Sequence, residues 1–160
     1  MDQTKPPGIE FAHIFISQSQ FSHRAGYLTA PITGQRVNSQ FMVEYEILLR
    51  NDQKTAIGHL RVRSVPDTEE VYDILVEVTA VANVIEGAEN MPLKLFMESS
   101  VPPTLYPFAR EAIASLTGRG KFGPVFLTPF NFVANPLKDE PKKRIARVPS
   151  TKTVRSRRPR

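Results

Sequence analysis

The chain has 160 residues, a mass of 18.0 kDa, 41% apolar residues and no cysteine, which fits one globular domain and excludes a disulfide scaffold, a thiol nucleophile and a thiolate metal site. Three widely separated histidines leave too few ligands for an ordinary zinc centre. The formal charge of +5 hides two parts of opposite sign: from Lys138 to Arg160 there are ten basic residues against two acidic ones, while the remaining 137 residues carry 11 basic and 14 acidic groups.

Residues 1–9 read as a flexible N-terminus. Met1 to Gly8 is polar and proline-bearing, without the apolar core of a secretory signal, and no later run approaches the roughly 20 apolar residues of a membrane span. The expectation is a cytoplasmic protein with no membrane insertion. Residues 10–137 are expected to form the folded domain. Glu10 to Phe21 is a first candidate strand, ending in the turn-prone Arg24-Ala25-Gly26. No proline falls between Pro31 and Pro66 or between Pro66 and Pro92, as paired strands require, because proline cannot donate to a ladder. Phe41, Val43, Tyr45, Ile47 and Leu49 alternate with Glu44, Glu46 and Arg50, a period of two that predicts a strand with one apolar face. After the turn Asn51-Asp52-Gln53-Lys54, Leu60 and Val62 alternate with His59, Arg61 and Arg63, which predicts its hairpin partner. Beyond the Pro66-Asp67 turn, Tyr72, Ile74, Val76 and Val78 predict a fourth strand.

The pattern changes after Pro102-Pro103. Thr104 is placed to cap a helix of about 12 residues, roughly 18 Å long, in which Leu105, Ala109, Ala112 and Leu116 form one apolar stripe. Pro107 would then sit in the first turn, and Gly118 or Gly120 would end the helix in a left-handed conformation. Phe122, Phe126, Phe130 and Phe132 follow, four of the chain's ten phenylalanines, with Pro124 and Pro129 excluding a regular helix. No acidic residue lies between Glu111 and Asp139. This apolar connector must either cover the sheet or leave a sticky groove. Residues 138–160 read as a disordered basic tail, rich in Arg and Lys and broken by Pro141, Pro149 and Pro159. Such a tail attracts polyanions such as RNA, the ribosome or an acidic protein through counterion release.

Motifs for chemistry are weak. Gly118-Arg119-Gly120-Lys121-Phe122-Gly123 matches the G-x-G-x-x-G dinucleotide pattern, but it closes a helix instead of opening one. His13, His23 and His59 lack any partner spacing, and Glu44 and Glu46 are explained by strand alternation. No enzymatic activity and no cofactor are expected.

Leu105-Tyr106-Pro107-Phe108-Ala109-Arg110-Glu111, then Arg119-Gly120, then Phe122-Gly123-Pro124-Val125-Phe126-Leu127-Thr128-Pro129-Phe130-Asn131-Phe132 resemble, in order and spacing, the signature of the SecB family of bacterial protein-export chaperones. The resemblance extends from Glu10 to Ala134. It implies an α+β fold, a four-stranded antiparallel sheet with a long helix packed on it. It also implies a homotetramer built as a dimer of dimers, which holds unfolded polypeptides without nucleotide and passes them to the translocation motor SecA. Positions matching the family's client groove are Phe41, Val43 and Tyr45 on the second strand and Val125, Phe126, Phe130 and Phe132 on the connector. Leu105, Ala109, Ala112 and Leu116 would serve helix packing or subunit contact. Family members present acidic residues on the outer sheet face to bind SecA, and Ser17-Gln18-Ser19-Gln20 carry none. Pro136 and Pro141 fall where the family continues into a second helix. A SecB-like chaperone dedicated to one client, such as an antitoxin, would keep the groove without the docking face, and a polyanion-binding adaptor acting through the tail is a further alternative.

Overall fold

Alternation of apolar and polar residues builds four strands: β1 (Ile9–His23), β2 (Phe41–Leu49), β3 (Thr55–Ser64) and β4 (Tyr72–Val84). They form one antiparallel sheet in the order β1-β4-β3-β2, so β2, β3 and β4 are a meander and β1 returns beside β4. The structure, a computed structural model, describes residues 4–29, 31, 40–65, 71–135 and 137. The Pro66-Asp67 turn, the basic tail at 138–160 and the region of the family's second helix beyond 137 lie outside the described residues. Of the N-terminal segment, residues 5–8 are tied to the loop after β4: the amide of Ile85 donates to the Gly8 carbonyl at 2.8 Å, and the Asn90 side chain donates to the carbonyls of Lys5 and Pro6.

Side chains of one sheet face build the core, with Leu60, Val62, Val76, Val78, Ala80 and Ala82 removed from solvent. On β1 the register against β4 slips between Phe11 and His13 and again between Ile16 and Gln18. Each slip inserts one residue and turns the strand by one position, because side chains alternate faces with a period of two. Phe11, Ile14, Ile16 and Phe21 therefore oppose Ala82, Ala80, Val78 and Ile74 despite their uneven spacing.

Two helices cover that face, α1 (Leu93–Ser99) and α2 (Val101–Thr117). α1 was not expected from the sequence. It buries Leu93, Phe96 and Met97, stacks Phe96 on Phe11 of β1 at 5.5 Å between ring centroids, and accepts the Tyr45 hydroxyl on the Met97 carbonyl at 2.8 Å. Gly58 makes room for this contact, since a Cβ there would lie 2.5 Å from the Tyr45 hydroxyl oxygen.

α2 corrects four expectations about the helix. It begins at Val101, so Thr104 is an internal residue whose hydroxyl donates to the Ser100 carbonyl at 2.7 Å. Pro102 and Pro103 sit in the first turn, where amides have no partner within the helix and the missing N–H costs little. Pro107 lies inside the helix, and the helix is 17 residues long, about 25 Å. Nor does a left-handed glycine end it: Gly118 has φ −59°, and the positive φ values in this region belong to Gly123 alone. Leu105, Ala109 and Ala112 of the stripe are buried on β4 and β3, with Leu116 partly buried beside them. Truncating Leu105 to alanine would cost about 2–5 kcal/mol.

Candidate functional site

After α2 the chain turns at Gly118–Gly123 and runs back along the helix in an extended conformation. Val125 and Leu127 point inward and are 3% and 4% exposed, whereas Phe126 between them is 71% exposed. Three side chains fasten this connector. The Thr117 hydroxyl accepts the Val125 amide at 2.8 Å, Arg110 Nε donates to the Leu127 carbonyl at 3.1 Å, and the Tyr106 hydroxyl donates to the Thr128 carbonyl at 2.7 Å. Burial pushes the Tyr106 hydroxyl above its ordinary range, against a smaller opposing pull from Arg110, which keeps it a donor. Backbone bonding of the connector is thus supplied by α2, as an extended segment with prolines and no strand partner requires.

Past Pro129 the aromatic residues close on one another. Phe130 and Phe132 lie 4.7 Å apart between centroids, and Tyr106 of α2 is 6.0 Å from the first and 5.5 Å from the second. Asn131 turns the chain here, its Oδ1 accepting the amides of Val133 and Ala134 at 3.1 and 3.0 Å. The turn leaves Val133 94% exposed. Between this cluster and the α1–α2 junction lies an open groove of about 710 Å³, lined by Pro103, Pro129, Phe130, Phe132, Val133 and Leu137, with Glu98, Ser99 and Asn131 at its polar edges. Glu98 is held 3.8 Å from Lys94, one helical turn earlier. An apolar trough with few polar contacts fits flexible apolar side chains.

Of the residues expected to contact client, Phe130 and Phe132 line this groove, and Phe126 is exposed on the connector outside its lining. Val125 faces inward. Phe41 and Val43 are half-buried against the core, and Tyr45, 3% exposed, spends its hydroxyl under α1, so these three do not line the groove. Tyr106, Pro103, Val133 and Leu137 were missed. The density of aromatic residues pointed to the connector, but the partner wall comes from the helix start, which only tertiary packing brings there.

The glycine motif has a structural use. Its amides are spent inside the protein: Gly120 donates to the Thr117 carbonyl, Lys121 to His23 Nε2, Phe122 to the Tyr72 hydroxyl and Gly123 to the Gly120 carbonyl. Two acidic residues of the outer sheet face, Glu44 and Glu77, are paired. Glu44 faces Arg63 at 2.8 Å and Arg61 at 3.8 Å, and Glu77 is bonded by Arg61 and by the Ser17 hydroxyl, with His59 at 3.6 Å. Among the described residues no group of three or more His, Asp or Glu is placed to hold a metal, and no helix is long and apolar enough to cross a membrane.

A four-stranded antiparallel sheet covered on one face by paired helices, with an aromatic connector leaving an apolar trough, defines an α+β protein of the SecB-like fold class. The family described as Preprotein translocase subunit SecB matches residues 32–137, and the chain belongs to that family. Relatives include the protein-export protein SecB of Haemophilus ducreyi, 36% identical over 89 residues, which are 55% of this chain and 52% of that one. The protein-export protein SecB of Saccharophagus degradans is 27% identical over 140 residues, 81% of this chain and 77% of that one. The match thus spans about half of the first relative's length. Among solved structures, the Mycobacterium tuberculosis Rv1957 SecB-like chaperone, in complex with a ChAD peptide from the Rv1956 HigA1 antitoxin, superposes with a TM-score of 0.59 at 19% identity, covering 77% of this chain and 91% of that one. That likeness is one of fold.

Proposed function

We propose that the protein is a chaperone of the protein-export kind, a nucleotide-independent holdase that keeps unfolded polypeptides from aggregating by taking their apolar side chains into the groove beside the connector. The observation that carries the reading is the trough of about 710 Å³ lined by Phe130, Phe132 and Val133, with Phe126 exposed on the connector that leads into it. Exposed aromatic surface of this extent is costly in water unless something covers it, and an unfolded chain offers matching side chains at many registers. Family membership supports a homotetramer, assembled as a dimer of dimers, in which such grooves would act together. The decisive experiment is Phe126→Asp combined with Phe130→Asp. The double variant should keep its circular dichroism spectrum and lose suppression of aggregation of a chemically denatured client; a well-folded variant with undiminished suppression would falsify the reading.

A second reading concerns the recipient of the client. The outer face that family members use toward SecA has its Glu44 and Glu77 neutralised by Arg61 and Arg63. That pairing favours a chaperone dedicated to one client, of which an antitoxin is an example, over one that docks on SecA through acidic residues. Pull-down of SecA at low and moderate salt separates the two: salt-sensitive binding to the outer face supports docking, and none supports dedication.

A further inference from the structure

We infer that His23 is a proton-responsive latch between the end of β1 and the start of the connector. Its Nε2 accepts the backbone amide of Lys121 at 3.0 Å. A backbone N–H can only donate, so this nitrogen must be unprotonated, and the ring is the neutral tautomer carrying its proton on Nδ1. Proton uptake at Nε2 and acceptance of the Lys121 amide are mutually exclusive, because the imidazolium would bring two donors together. Histidine is the side chain whose charge ordinarily changes between about pH 5 and 8.

The surroundings make this a hinge point instead of one contact among many. The His23 ring packs on Phe21 at 5.3 Å and on Tyr72 of β4 at 5.3 Å between centroids. On its open side a hollow of about 450 Å³, lined by Ser22, His23, Arg24, Ala25 and Asp73, brings solvent to this end of the strand. Charged groups stand around the site: Arg24 of the strand end, Asp73 of β4 at 3.7 Å from Arg24, and Lys121 of the turn, whose ammonium is bonded to the Leu28 carbonyl. Asp73 is engaged by Arg24 and by the Ser64 hydroxyl, which donates to it at 3.2 Å. The rest of the turn is held by the Tyr72 hydroxyl, which accepts the Phe122 amide at 2.7 Å and donates to the Gly123 carbonyl at 3.2 Å. With His23 protonated, the Lys121 amide loses its acceptor while Tyr72 and Thr117 still hold the neighbouring amides of the turn. The inference concerns the free protein and stands apart from client binding.

The test is amide hydrogen exchange on the full chain, resolved at Lys121 and corrected for the intrinsic pH dependence, at about pH 7.5 and about pH 5. The protection factor of Lys121 should fall by at least about tenfold at the lower pH, while Gly120 and Val125, whose amides are bound to Thr117, keep theirs. In His23→Phe, which has no acceptor, Lys121 should exchange fast at both pH values. In His23→Gln, which keeps an acceptor that does not titrate, the pH dependence should vanish. Equal protection of Lys121 at both pH values in the wild-type chain overturns the latch whatever the variants do, and so does a protected Lys121 in a folded His23→Phe.

Discussion

The Cβ that Gly120 lacks would fall 2.6 Å from the Tyr72 hydroxyl oxygen and 2.9 Å from Cζ of Phe21. The glycine is needed for proximity and not for a left-handed backbone, since its φ is not positive. Only with no side chain here can the turn come close enough for Tyr72 to take the Phe122 amide. Gly120→Ala is expected to lower stability by about 1–3 kcal/mol through overpacking, read as a drop in thermal midpoint. Gly118→Ala is the control, because its nearest contact, the Ala114 carbonyl oxygen at 3.1 Å, lies in its own helix and its φ of −59° suits alanine. Equal midpoints for the two variants would mean that the Tyr72 contact does not constrain the turn.

Thr117 has no solvent exposure, and its hydroxyl has two duties: it donates to the Ile113 carbonyl at 2.7 Å and accepts the Val125 amide at 2.8 Å. Thr117→Val keeps the shape and strands the Val125 N–H, a loss of about 1–3 kcal/mol. Thr117→Ser keeps the hydroxyl and should recover most of it. Because Val125 anchors the connector, faster exchange of its amide should accompany the valine change, and a valine variant as stable as wild type would contradict this assignment.

Much of the sheet was legible because β2, β3 and β4 alternate cleanly and one alternating face suffices to mark a strand. β1 was less so: its slips near Ala12 and Ser17 break the period, and only pairing with β4 shows that Phe11 and Ile14 share a face. α1 went unread because it is seven residues long, shorter than a periodic pattern can establish, and lies between Pro92 and Pro102. In the site, Phe130 and Phe132 were visible as aromatic density. Tyr106 was not, because on the helix it looks like one more apolar residue until the connector folds back on it. Tyr45 shows the limit of alternation from the other side, since a shared strand face says nothing of depth, and α1 lies over that end of the strand.

Tyr45→Phe removes the hydroxyl that donates to the Met97 carbonyl and should cost about 1 kcal/mol. Client affinity, measured at a temperature where the variant is fully folded, should be unchanged, because Tyr45 lies beneath α1 and outside the groove. A Phe132→Ala variant should show the converse, weakened client binding, since Phe132 forms the groove wall. If Tyr45→Phe weakens client binding by more than Phe132→Ala, the groove extends to β2.

Glu77 sets an acid limit to stability. Burial pushes its carboxyl up, but the Ser17 hydrogen bond, Arg61 and the nearby His59 outweigh it, so the folded-state value lies below the ordinary one. A group depressed on folding contributes stability above its unfolded value, about 4.3 for Glu, and loses that contribution as pH falls through the folded-state value. Thermal midpoints should therefore decline as the pH drops below about 4.5. Glu77→Gln should be less stable at neutral pH, having lost its ion pair with Arg61, and should decline less steeply in acid. His59, 2.9 Å from Thr79 Oγ1 and 3.6 Å from Glu77, gives the companion measurement: His59→Gln removes one of the neighbours that hold the Glu77 carboxyl down, so the decline should still begin near the unfolded value and be smaller in extent. A decline of the same slope in wild type and Glu77→Gln would assign the acid limit to other carboxylates.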